Sequence, residues 1–230
     1  MNWVANNLDL IALRTWEHLL LSIPPIILSF VISVPIGWAA NRFRPSRGAL
    51  LSLLGLLYAI PSLPLFIILP IFLGTGLRDP INVIVALTLY GIALMVRTTA
   101  DGLDSVSPDV RDSASAVGYS SASRFWQVDL PLAGPVLVAG IRVVAVSTVS
   151  LVTVGAVLGV KSLGLFFTDG FQRGITAEVM TGIVMTVVLA LAIDGVIVLL
   201  GRILMPWSRK TKMRPVVRSA RATGRRAVSA

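Results

Sequence analysis

The 230-residue chain contains no cysteine and a single histidine, His18. Disulfides, thiol redox chemistry and cysteine metal sites are therefore excluded, and a lone histidine makes no metal centre. His18 stands beside Trp16 and Glu17 at the edge of an apolar run, where an interfacial position is expected. Acidic residues are scarce, 11 against 20 lysines and arginines, and charged residues make up only 13% of the chain, so few groups can do chemistry. Asp101, Asp104, Asp109 and Asp112 cluster, but they flank an expected helix start, where acids favour the positive end of the helix dipole. They also lack the alternation of a calcium loop. No paired carboxylates and no nucleophile with its base stand out, so no catalytic residue and no metal ligand is expected. The first residues lack the basic start of a signal peptide.

Apolar residues fill the chain instead. They reach 55% with a mean hydropathy of +0.85, above the balance of soluble domains. Residues 19–40 run 22 positions without a charge, enough for about 33 Å of helix. Pro24, Pro25 and Pro35 are tolerable in a membrane helix, and Trp16 and Trp38 bracket the run as interface anchors. Residues 49–77 are uncharged but broken by Pro61, Pro64 and Pro70. A kinked span with an unwound centre at 60–64 is expected. Irregular backbone at that depth must line protein or a wet path, which makes Pro61, Ser62 and Pro64 substrate-path candidates; packing alone would also account for the kink. Further spans are expected at 81–96, at 132–160 with Gly155 and Gly159 in GxxxG spacing, and at 179–201. Residues 161–178 read as a Gly-rich loop. The expected fold is an all-α integral membrane protein of about five transmembrane helices. It divides into a membrane domain over 1–206, with a loop over about 101–131, and a basic, disordered tail over 207–230.

Charge sets the orientation. With the N-terminus outside, one face collects Arg42, Arg44, Arg47, Arg97, Arg111, Arg124, Arg202 and the eight basic residues of the tail. The other face holds Arg14, Arg78, Lys161 and Arg173. The positive-inside rule then places the 101–131 loop and the C-terminus in the cytoplasm. The same distribution accounts for the net charge of +9 through the membrane surface rather than nucleic acid. Arg142 and Asp194 interrupt the fourth and fifth spans. Intramembrane charges are costly and usually face a partner or a cavity. These two fall at similar depth on oppositely directed spans, so an intramembrane ion pair is expected, serving as a structural bridge or part of a gate. Snorkelling of the arginine to headgroups is the alternative.

The loop itself is patterned. Ser107 and Pro108 read as a helix cap and first residue, Gly118 as a stop, and Ser120 or Ser121 as a second start. The second helix is expected to carry Phe125 and Trp126 to Leu130, where Pro131 bends the chain. By pattern alone, this is either a helix pair covered by another protein or a connector lying on the bilayer.

The spacing Asp112-Ser113-Ala114, three residues, Gly118, nine residues, Val128-Asp129-Leu130-Pro131 resembles the EAA loop of bacterial ABC importer permeases. It departs by Asp for Glu, Ser for Ala and Val for Ile. The passages Ala59-Ile60-Pro61-Ser62-Leu63-Pro64, Met95-Val96-Arg97-Thr98-Thr99 and Lys161-Ser162-Leu163-Gly164 are similar to permeases of osmoprotectant importers. The resemblance implies a type I ABC importer permease in the bacterial cytoplasmic membrane, with no cofactor of its own. It implies two ABC ATPase subunits that carry ATP and Mg2+, a second permease (identical or a sister subunit), and an extracellular or periplasmic solute-binding protein, all meeting in membrane lipid. Asp112, Ser113, Ala114, Gly118, Phe125, Trp126, Leu130 and Pro131 are then ATPase-coupling residues. The solute implied is glycine betaine, carnitine, choline or proline betaine. A methionine or other amino-acid importer, or an ion-gradient-driven carrier, is the alternative.

Overall fold

The computed structural model describes residues 2–208. The basic tail expected over 207–230 lies, from Arg209 onward, outside the described residues. In chain order the helices are α1 Asn2–Asn6, α2 Leu8–Arg42, α3 Arg44–Ala59, α4 Ser62–Leu73 and α5 Pro80–Asp104. They continue as α6 Pro108–Ala116, α7 Ser121–Arg124, α8 Leu130–Gly155, α9 Leu165–Arg173 and α10 Thr176–Leu204. Among the described residues, α2, α5, the continuous stretch Ser121–Leu158 and α10 are long and apolar enough to cross a membrane, with α3 and α4 as a bent fifth candidate.

The core is built by α2, α5 and α8. Two glycines let α2 and α5 meet closely. A Cβ on Gly91 would fall 2.5 Å from Ser29 Cβ, and one on Gly37 would fall 2.6 Å from Thr99 Cβ. Small residues allow such approach where lipid gives no hydrophobic drive between helices. Two of the buried hydroxyls in this core bond within their own helices: Ser22 Oγ donates to His18 O at 2.8 Å and Thr99 Oγ1 to Met95 O at 2.8 Å. Met95, Val144, Val149 and Leu163 are among the fully enclosed apolar side chains around them.

Five expectations need correction. The helix of the first span starts at Leu8, well before residue 19, and within it Arg14 and Glu17 pair with each other at 2.7 Å. His18 is not interfacial. It is fully buried, with Nε2 3.0 Å from the Val149 carbonyl of α8. The second span bends by 102°, far more than a kink, and only Ile60 and Pro61 are non-helical. Pro64 sits in the first turn of α4, where its missing N–H would have no partner anyway. Tyr90 Oη donates to Ile60 O at 2.6 Å and holds the bend. The segment 161–178 contains α9, whose Gly170 packs so closely that a Cβ would lie 2.8 Å from Val179 Cγ2. Finally, Gly155 and Gly159 do not form a helix-packing pair, since Gly159 has left the helix at φ +82.

Candidate functional site

The ends of α2 and α5, the start of α3, and the chain from α6 into α8 meet at one end of the bundle. Helix α6 starts at Pro108 after Ser107, as the spacing predicts, although the Ser107 side chain makes no capping bond. It ends at a tight turn. Gly118 N donates to Ser115 O and Tyr119 N to Ala114 O, both at 3.1 Å, the paired bonds of a Schellman motif. That motif needs a residue at positive φ, and Gly118 supplies it at +99. Ser120 then caps α7, its side chain accepting from Ser123 N at 3.2 Å.

Beyond α7 the chain does not turn at Pro131. A π-helical turn, Phe125–Asp129, joins α7 directly to α8, so the second loop helix is the end of the fourth span rather than a separate element. Pro131 lies at the start of α8, where the extra residue of the π turn has already reset the hydrogen-bond ladder. Phe125 is buried against Trp38 of α2, ring centroids 5.6 Å apart. Leu130 packs on the same core, whereas Trp126 is 64% exposed and touches Phe125 edge-on at 5.1 Å.

Helix α6 has no buried residue at all. Asp112, Ser113 and Ala114 lie along it, and Val110, Val117 (80% exposed) and Tyr119 present apolar surface outward at its two ends. Its links to the rest of the chain are polar. Arg111 donates from Nη2 to the Leu103 carbonyl at the end of α5, and its Nε lies 3.3 Å from Asp129 Oδ1. Arg124 Nη1 donates to Ser115 Oγ of α6 at 2.9 Å, and its Nε lies 3.5 Å from Asp129 Oδ2. Asp129, which sequence reasoning passed over, is itself buried. A cavity of about 100 Å³ adjoins this carboxylate, lined by Trp38, Arg42, Arg111, Arg124 and Asp129 among others. The signal for Asp129 was legible only in part: it is the one acid between the paired aromatics and the Leu-Pro step.

Asp101 and Asp104 do not flank the start of α6 as free dipole partners. They belong to the last turns of α5 and hold Arg47 at the start of α3, with Nη2 3.1 Å from Asp101 Oδ1 and Nη1 donating to Asp104 Oδ2. Deeper in the bundle, Arg142 of α8 faces Asp194 of α10 through two parallel bonds, Nε–Oδ1 at 2.6 Å and Nη2–Oδ2 at 2.9 Å. This forked geometry is the strong form of an arginine–carboxylate contact. Both side chains remain partly exposed on the bundle surface. Pro61, Ser62 and Pro64 gather at the 102° bend beside Tyr58 and Tyr90, whose rings meet edge-on at 5.6 Å. Among the described residues no group of histidines, aspartates and glutamates could hold a metal ion.

Residues 32–210 match the family described as the inner membrane component of binding-protein-dependent transport systems. The chain belongs to that family. It is thus an all-α, multi-pass membrane permease. It is 28% identical over 193 residues to the choline transport system permease protein OpuBB of Bacillus subtilis (strain 168), covering 84% of this chain and 88% of that protein. It is 29% identical over 209 residues to the osmoprotectant import permease protein OsmW of Salmonella typhimurium (strain LT2), covering 90% and 97%. In fold it is similar to a chain of the MetNI methionine ABC transporter in inward-facing conformations, with a TM-score of 0.78 at 20% identity over 86% of this chain and 98% of the other.

Proposed function

We propose that this permease is a transmembrane subunit of an ATP-driven importer for a small quaternary-ammonium osmoprotectant such as choline, glycine betaine, carnitine or proline betaine. The observation that carries the reading is the geometry of α6: a helix with no buried face, ended by a Schellman turn at Gly118 and held to the bundle by polar ties. A helix of that kind is built to be covered by another protein. The solute class is supported by relatives named for choline, for osmoprotectants, and for glycine betaine, carnitine and choline.

In this reading α6 and the Gly118 turn dock into an ATPase subunit on the cytoplasmic face, with the N-terminus of the chain outside and its basic C-terminus inside. Asp112, Ser113 and Ala114 supply the docking surface, and Phe125, Trp126, Leu130 and Pro131 carry its displacement into α8. Two ATPases bind and hydrolyse ATP with Mg2+; this chain contributes no catalytic group. A second permease completes the path, and a binding protein delivers the solute from outside. Rigid-body movement of the paired bundles exposes the path to each side in turn. The bend at Pro61, Ser62 and Pro64 would line it, and the Arg142–Asp194 pair would hold α10 to α8 as the bundle moves.

Reconstitution of the permease with its ATPases and binding protein tests this. Choline or glycine betaine is expected to stimulate ATP hydrolysis and uptake. Stimulation by methionine alone would move the assignment to an amino-acid importer, and uptake without the ATPases would move it to a gradient-driven carrier.

A further inference from the structure

Every side-chain hydrogen bond or ion pair between α6 and the rest of the described residues passes through Arg111 or Arg124. Arg111 is a residue of α6, and Arg124 grips it from α7 through Ser115. Both guanidinium groups converge on the carboxylate of Asp129, one on each oxygen. Asp129 holds the last position of the π turn that feeds α8. A single π turn within a helix frequently marks a functional point, because it shifts the helix face that follows.

We infer that Asp129 is the positioning residue through which displacement of α6 reaches the fourth span. This role of Asp129 rests on the coupling function proposed above for α6. A helix with no buried face has no apolar packing by which to push its own bundle. The side-chain route that remains is the arginine–carboxylate–arginine tie. It ends on a buried group, and that group is fixed to a continuous helix that crosses the bundle. The two Nε–oxygen separations, 3.3 and 3.5 Å, are ion-pair rather than close hydrogen-bond distances, and the cavity beside them leaves room for the guanidinium groups to shift while both remain attracted to the carboxylate. Arg42 lines the same cavity and brings a third positive charge to the surroundings of the Asp129 carboxylate.

The test uses the complete importer in proteoliposomes, with choline as solute, and reads three quantities: ATPase retained on the permease, ATP hydrolysis, and solute moved per ATP hydrolysed. Asp129→Asn is expected to keep its ATPases and hydrolyse ATP while moving about tenfold less solute per ATP, the size of a typical coupling between sites. Asp129→Glu restores the ratio, since it keeps the charge. Spin labels on Asp109→Cys and Leu132→Cys, both exposed, report whether α6 and α8 move together: the distance between them stays narrow on ATP binding in the otherwise unaltered chain and broadens with Asp129→Asn. Should Asp129→Asn fail to fold, Arg111→Gln and Arg124→Gln each remove one arm, and each is expected to lower the ratio. An unchanged ratio in Asp129→Asn, or in both arginine variants, overturns the inference. A parent permease that never retains an ATPase would instead bring down the coupling reading, and this tie with it.

Discussion

Replacing Gly118 separates the backbone requirement of the loop from what covers it. The residue adopts φ +99, and a Cβ built on it meets nothing within 4 Å. Gly118→Ala therefore creates no clash inside the chain. Its cost is the left-handed conformation alone, about 1–2 kcal/mol for an L-residue. At 1.4 kcal/mol per factor of ten, the population of the correct turn falls by about 5–30-fold. Asn tolerates this conformation better, so Gly118→Asn should sit between Ala and the parent chain. Gly118→Trp carries the same backbone cost as Ala and adds a large side chain in open space. In thermal melts of the isolated permease, Trp and Ala are thus expected to behave alike. In ATPase pull-down and in uptake, Trp should fall well below Ala, because the space that is empty in this chain is filled by the partner. If Gly118→Trp binds ATPase and transports as well as Gly118→Ala, nothing covers this turn, and the docking argument is wrong.

Other positions give independent checks. Reversing Arg142 or Asp194 alone should impair assembly or uptake, and exchanging both, Arg142→Asp with Asp194→Arg, should restore part of it; a double variant no better than either single one contradicts a working pair. Tyr90→Phe removes the bond to Ile60 O at the 102° bend and should lower stability by about 1 kcal/mol, read as a shifted melting midpoint; no shift would mean the hydroxyl does not hold the bend. Gly91→Leu forces a Cβ to 2.5 Å from Ser29 Cβ and should cost about 1–3 kcal/mol or more through overpacking. Gly195→Leu, with nothing within 4 Å, is the control that should express normally. Equal yields of the two would contradict the close α2–α5 contact.

Much of this arrangement was legible because membrane helices announce themselves by long uncharged runs, and because turn chemistry is local. Gly118 and Ser120 each do what their residue type does best, a positive φ and an N-cap. The failures share a cause in tertiary context. Pro131 reads as a bend, but a π turn upstream carries the helix through it. Pro61 announces a break without a direction, and the 102° angle depends on Tyr90 reaching across from α5. Residues 161–178 look too rich in glycine for a helix, yet Gly170 is there because α9 lies tight against the start of α10. His18 has mixed neighbours in sequence, and only the packing of α8 on α2 shows that it meets the Val149 carbonyl. Asp129 escaped notice for the same reason: its two arginines lie 18 and five residues earlier in the chain, and only the folded loop brings all three together.

The central claim is that the turn after α6 lies in the cytoplasm under an ATPase. Because the chain has no native cysteine, a single Val117→Cys substitution reports on that directly. In sealed vesicles of known orientation, a membrane-impermeant maleimide should label this position only from the cytoplasmic side, and addition of the ATPase should protect it. Labelling from the outside, or labelling that the ATPase leaves unchanged, would contradict the account.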